Sequence, residues 1–222
     1  MRVSVLGGTG VTMAGVPVDL GARKQRALVA ALALHLGRPV SVDALIDLLW
    51  ADAPPPGVAG TLQSYVAGLR RCLEPDRPPR APATVLVTSP PGYALRLPAD
   101  AVDAHRFEVA VGASHRVLDP LSPTVGAAAP QVATDVVADA LARLDEALAS
   151  WRGTPYLELD QAAGAVAERA RLEELRLLAL EDHAVAELAL GRHATVAAEL
   201  EALTASHPLR ERLWGLRAVA LA

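Results

Sequence analysis

The spacing of apolar positions changes several times along the chain, and each change marks an element. In the first twenty residues Val3, Val5, Val11, Met13, Val16 and Val18 stand in short alternating runs broken by glycines, which predicts a small antiparallel sheet with tight turns. From Arg23 the step lengthens to three and four residues through Leu28, Ala31, Leu32 and Leu36 and stops at Gly37, the pattern of one helix with a glycine cap. Ser41 or Asp43 can cap a second, shorter helix carrying Leu45, Leu48 and Leu49, which the tract ADAPPPG ends near Trp50. A third helix is predicted from near Val58 to Leu73, where Glu74, Pro75 and Asp76 stop it. After a loop rich in proline and arginine, TVLVTSPPGYALRL predicts two strands joined at SPPG, a hairpin.

Beyond residue 100 the pattern is helical throughout. Residues 104–118 and 136–151 predict amphipathic helices, the second with Leu141, Leu144, Leu148 and Trp151 on one face, separated by a mobile loop, DPLSPTVGAAAPQVAT. A long helix from Ala163 to Leu190 stopped by Gly191, a shorter one from Ala194 to Ser206, and a last one from Leu209 onward follow. Helix, short turn, helix is tetratricopeptide-like, compressed against the consensus of about 34 residues. Stacked helical hairpins offer a groove for a protein or peptide, not a reaction centre. The expected fold is mainly α with small β sheets: an N-terminal winged helix-turn-helix domain in residues 1–100, then an all-α tetratricopeptide-like domain in residues 101–222.

The winged reading rests on the order of three short helices and a hairpin, in which the last helix enters the major groove and the hairpin lies against the backbone. At about 100° per residue, Val66, Leu69 and Leu73 fall within about 40° of Leu62, one apolar stripe that must be buried. The opposite face carries Gly60, Ser64, Ala67, Gly68 and Arg71, flanked by Gln63, Arg70 and Thr61. Small groups let a helix sit deep in a groove while Gln and Arg reach base edges or phosphates.

Composition narrows the function classes. A chain of 222 residues that is 52% apolar and 21% charged is folded, not disordered. Its mean hydropathy is +0.27 and no apolar run approaches the roughly 18 residues of a spanning helix. MRVSVLGG is too short for a signal peptide, and a single cysteine, Cys72, excludes an internal disulfide, so a reducing cytoplasm is expected. The net charge of −4 is unevenly placed: residues 1–100 hold ten basic and seven acidic side chains, and residues 101–222 hold eleven and eighteen. A basic half joined to an acidic half suits a nucleic-acid-binding module fused to a protein-binding one.

Enzyme chemistry finds no constellation. The GGTG tract at Gly7–Gly10 precedes a strand, not the helix a phosphate loop must open. Asp182 and His183 are helix neighbours about 100° apart and read as a surface pair, and ERARLEELRLLALED reads as a solvated face with charge pairs four residues apart. His35 reads as a core-edge residue, Cys72 as a small hydrophobe at the stripe's border, and Trp50 and Tyr65 as core aromatics. No catalytic residue, metal site or cofactor is expected.

The segments LGARKQRALVAALALHLGRPVSVDALIDLLW, TLQSYVAGLRRCLEP, VTSPPGYALRL, VDAHRFE and HPLRERLWGLRAVAL together resemble the Streptomyces antibiotic regulatory protein (SARP) family over essentially the whole chain. The resemblance implies an OmpR-type winged helix-turn-helix, like the effector domain of two-component regulators, joined to a bacterial transcriptional activation domain. It implies that Thr61, Gln63, Ser64, Arg70 and Arg71 lie on the recognition helix, that Ser89, Tyr93 and Arg96 belong to the wing, and that Arg23, Lys24 and Arg26 approach phosphates. The tract Ala51 to Gly60 takes the place that faces RNA polymerase in related activators.

The implied function is transcriptional activation of an antibiotic biosynthetic cluster. The implied partners are double-stranded promoter DNA with tandem direct repeats, a second protomer on that DNA, and RNA polymerase holoenzyme through its sigma factor and the C-terminal domain of its alpha subunit. A nucleoid-associated cytoplasmic location, away from any membrane, goes with them. The family usually carries polar or basic residues where this chain has Ala67 and Gly68, and an arginine where it has GVAG, which implies weak monomeric binding reinforced by pairing. The alternative is a helical-repeat scaffold whose winged helix no longer reads DNA. Because the face of Leu213, Leu216, Val219 and Leu221 stops in mid-pattern, the chain is expected to be the N-terminal piece of a longer regulator, with further repeats or an ATPase region beyond it.

Overall fold

Alternating valines set up the first sheet. In the computed structural model, which describes residues 1–51, 53–122, 132–159 and 162–222, strands β1 (Arg2–Ser4), β2 (Gly10–Met13) and β3 (Val16–Val18) pair antiparallel. Val3 stands opposite Val11, and Val11 opposite Val18. The GGTG tract is the connection into β2, so no helix opens on it.

Helix α1 (Arg23–Leu34) then gives way to a two-residue strand β4 (Val40–Ser41) and helix α2 (Val42–Trp50), whose N-terminus is capped by Ser41 Oγ accepting from Ala44 N at 3.1 Å. Half-buried His35 caps the C-terminal end of α1; burial, and then the charge of Arg38, lower its imidazole pKa. Helix α3 (Val58–Leu73) has the predicted bounds, and the hairpin is β5 (Leu86–Ser89) and β6 (Gly92–Leu95).

Strand β4 is too short to show alternation and was not expected. It pairs with β6, Val40 opposite Tyr93, giving a three-stranded sheet ordered β4-β6-β5. Gly92 makes this approach possible: a Cβ there would fall 2.0 Å from the Val40 carbonyl oxygen.

The later helices are α4 (Asp103–Leu118), α5 (Thr134–Ala149), α6 (Ala163–Ala189), α7 (His193–Ser206) and α8 (Glu211–Ala220), with Gly191 turning between α6 and α7 at a φ of 77°. None of the helices among the described residues is long and apolar enough to cross a membrane. Most of the loop expected between α4 and α5, residues 123–131, lies outside the described residues. One expectation fails at the end of α5. The helix closes at Ala149, where Ser150 Oγ donates to the Ala147 carbonyl, and Trp151 lies beyond the apolar face assigned to it.

Contacts divide the chain into two units, Met1–Arg106 with Trp151–Leu172, and Phe107–Ser150 with Glu173–Ala222. In the first, Leu28 and Leu32 of α1, Leu45 of α2, the α3 stripe, and Leu86 and Leu95 of the hairpin form the core, each at most 2% exposed. The segment from Trp151 is bound to the β1 end. Arg152 N donates to the Leu6 carbonyl and Tyr156 N to the Val5 carbonyl, both at 2.8 Å. Gly7, at a φ of 141°, admits this backbone, since a Cβ there would lie 3.1 Å from Arg152.

The GGTG tract does hold an anion, one supplied by the chain. Thr9 donates to the Glu158 carboxylate from its amide at 3.1 Å and from its hydroxyl at 2.6 Å, and Arg26 Nε stands 3.4 Å from the same carboxylate. Beside it, Asp103 is 3% exposed and accepts from Val5 N at 2.7 Å, Leu6 N at 3.3 Å and Arg152 Nη2 at 3.0 Å. Burial pushes its carboxyl pKa up, and the backbone donors and Arg152 pull it back.

The acidic run is solvated at Arg171, Glu173, Glu174 and Arg176, as read, but its last two residues, Glu181 and Asp182, are buried, which corrects the reading of Asp182 as a surface residue. Asp182 is fully buried and accepts from Arg212 Nη2 at 2.9 Å, with His115 Nδ1 at 2.8 Å, while His183 turns to Asp145 at 3.0 Å. Glu181, 1% exposed, takes Arg210 Nε at 2.7 Å. The angle of about 100° between neighbours, read as making the pair inert, instead sends the two side chains to different helices. The partners stand 29 or more positions away, where no local pattern reveals them.

Asp103→Ala leaves buried amides without their acceptor and should cost about 3 kcal/mol, whereas loss of half-exposed Arg152 should cost no more than about 1 kcal/mol. Urea unfolding of both variants checks this order, and equal losses would refute the central place of Asp103.

Candidate nucleic-acid interface

Helix α3 is fixed in rotation by its apolar stripe. Leu62, Val66, Leu69 and Leu73 are between 0% and 2% exposed, and Gly57, at a φ of 70°, turns the chain into the helix. The far side therefore faces out: Gly60, Gln63, Ser64, Ala67 and Arg71 are exposed, while Thr61 and Gly68 are half-buried. Ser64 Oγ donates to the Gly60 carbonyl at 3.0 Å, so its hydroxyl hydrogen is already used.

Gly68 has a packing role. Gln25 accepts from Ala22 N through Oε1 at 3.0 Å, closing the start of α1, and a Cβ on Gly68 would lie 3.3 Å from Gln25 Nε2. A larger side chain at 68 would crowd that amide.

Arg70 joins the helix to the hairpin. Its Nε donates to the Leu86 carbonyl and its Nη2 to Thr88 Oγ1, both at 2.8 Å, and its guanidinium lies 5.8 Å from the centre of the Tyr93 ring. Tyr93 is half-buried under that contact, Ser89 is half-buried at the turn, and Arg96 is exposed just past β6. The return loop is anchored by Glu74, which accepts from Thr84 N at 2.8 Å and Thr84 Oγ1 at 2.6 Å. Burial opposes the charge on Glu74, but these donors outweigh it and hold the carboxyl below its ordinary range.

The three cations at the start of α1 have separate surroundings. Lys24 donates from Nζ to the Leu49 carbonyl and sits 4.8 Å from the Trp50 ring centre, and Trp50 in turn stacks on Tyr65 at 5.9 Å. Arg26 donates to the Gly21 carbonyl at 2.8 Å and meets Glu158. Arg23 is exposed at the helix N-terminus.

Of the eleven residues assigned to the interface from sequence, α3 and its flanks thus expose Gln63, Ser64, Arg71, Arg23 and Arg96, and the fold engages Lys24, Arg26 and Arg70 internally. Residue type cannot separate a cation that reaches outward from one that closes a helix end. The clasp of Thr9, Asp103 and Glu158 left no signal either, since its members lie up to 149 positions apart.

Comparison with known proteins agrees with this architecture. Residues 102–222 match the family described as bacterial transcriptional activator domain, and residues 15–95 match that described as transcriptional regulatory protein, C terminal. The regulatory protein DnrI of Streptomyces peucetius is 35% identical over 224 residues, covering 100% of this chain and 77% of that protein. The transcriptional regulatory protein EmbR of Mycobacterium tuberculosis is 38% identical over 210 residues, 95% of this chain and 50% of that protein. The solved structure of M. tuberculosis EmbR in complex with a low affinity phosphopeptide superposes with a TM-score of 0.81 at 36% identity, covering 99% of this chain and 54% of that one. The chain therefore spans about half the length of the EmbR proteins it matches. Fold and matches together define a chain in which an OmpR-type winged helix precedes a bacterial transcriptional activator domain. The chain belongs to the Streptomyces antibiotic regulatory protein family.

Arg70→Ala should loosen the hairpin from α3, lowering stability by about 1–2 kcal/mol. Amide exchange should speed up at Val87 and Ala94 more than at Leu45 in α2. Uniform exchange changes would show that Arg70 has no special hold on the hairpin.

Proposed function

We propose that this protein is a sequence-specific DNA-binding transcriptional activator of a secondary-metabolite gene cluster, acting in the cytoplasm. Two protomers bind tandem direct repeats near a promoter, with α3 in the major groove and the hairpin against the backbone. Bound there, the protein recruits RNA polymerase holoenzyme through its sigma factor and the C-terminal domain of the alpha subunit. The observation that carries this reading is the outward face of α3: Gln63, Ser64 and Arg71 exposed on a helix whose opposite stripe is wholly buried. The family membership supports the same reading. Few cations line that face, so one protomer contributes modest affinity, and pairing on a repeat multiplies it.

A second reading, a helical-repeat scaffold with a silent winged helix, is favoured by the internal use of Lys24, Arg26 and Arg70. Binding to the upstream region of the neighbouring operon separates the two. Specific retardation that weakens steeply with salt supports activation, and no binding at low salt supports the scaffold. Arg71→Ala should weaken binding and make the plot of log affinity against log salt shallower by about one unit, the value of one lost phosphate contact, as measured by fluorescence anisotropy.

A further inference from the structure

The exposed face of α3 offers very few ways to read a base. Gln63, Ala67 and Arg71 follow one another at four-residue steps, a line of about 12 Å along the helix, comparable to the width of the major groove. Gly60 and Ser64 complete the face, within about 100° of Gln63. Gly60 has no side chain, Ala67 only a methyl, and Ser64 has turned its hydroxyl hydrogen back to the Gly60 carbonyl. Arg70 is held by the hairpin, and Tyr65 is half-buried against Trp50. The Gln63 side chain is exposed and makes no hydrogen bond among the described residues. Its amide is the one neutral side chain on this face with both its donor and its acceptor unengaged, and the small neighbours on either side let the backbone come close enough for it to reach a base edge.

We infer that Gln63 is the specificity-determining residue of this helix and that it reads adenine. The amide Oε1 accepts from the adenine N6 amino group while Nε2 donates to N7, a bidentate pairing that no other base presents in the major groove. The methyl of Ala67, one turn on, adds no competing polar group and tolerates a thymine methyl beside it. Each half-site then contains one A·T pair whose replacement is penalised more than that of its neighbours. This inference rests on the DNA-binding reading above and adds to it the base and the residue.

A selection from randomised duplexes, run in parallel on the 222-residue chain and on Gln63→Glu and Gln63→Arg variants, tests it. The side chain is exposed, so both variants should melt with the parent. The parent should enrich one A·T pair per half-site by at least about fivefold over the other pairs. Glu accepts only, and should move the preference at that position to cytosine, whose N4 donates; Arg should move it to guanine O6 and N7. The rest of the motif should be unchanged in both. If the parent enriches a motif and neither variant alters its preference at any single position, the assignment of Gln63 is wrong while DNA binding stands. If the parent enriches nothing, the DNA-binding reading itself falls and takes this inference with it.

Discussion

Burial of four side chains, Leu62, Val66, Leu69 and Leu73, decides what this molecule can present to a partner. A helix with one fully enclosed stripe has no rotational freedom left, so the identity of its outward residues follows from the placement of its inward ones. The enclosing surface comes from α1, α2 and the hairpin, and those elements owe their positions to smaller constraints. Ser41 starts α2, Gly92 lets β4 lie against β6, and Gly68 passes close to the Gln25 amide at the start of α1.

Positive charge is spent differently on the two sides of this arrangement. Lys24 closes the end of α2 over Trp50, Arg26 faces Glu158, and Arg70 binds the hairpin carbonyl of Leu86. Each of these cations is engaged by a backbone oxygen or a carboxylate of the same unit, which is a structural use of charge. The outward face of α3 keeps Arg71 alone of its arginines exposed. The winged-helix half is thus less cationic in effect than its composition suggests, because a count of arginines does not distinguish internal from external duty.

Local pattern carried most of the architecture. Every helix with a sustained three- and four-residue period was legible, and the end of α3 could be placed because the Glu74-Pro75-Asp76 stop is a local signal. What escaped was non-local or too short for a period. Strand β4 has two residues, Trp151 left its helix because Arg152 is claimed by the Leu6 carbonyl, and the buried carboxylates Asp103 and Asp182 are satisfied by groups far along the chain. For the interface, residue types and helix phase placed Gln63, Ser64 and Arg71 on one outer face. Which cations were engaged elsewhere depended on contacts such as Arg26 with Glu158, 132 positions apart.

The chain leaves its first unit at Arg106 and returns at Trp151, so that unit is assembled from two stretches of sequence. The return stretch supplies Glu158 to Thr9 and the Tyr156 amide to Val5. Genetic recombination between relatives at a single junction near residue 100 would therefore give a descendant a hybrid first unit, its opening strand fastened by residues from the other parent. Exchange of whole units between relatives calls for three coordinated junctions, after Arg106, Ser150 and Leu172, and this couples the inheritance of the two halves more tightly than their separate family signatures suggest.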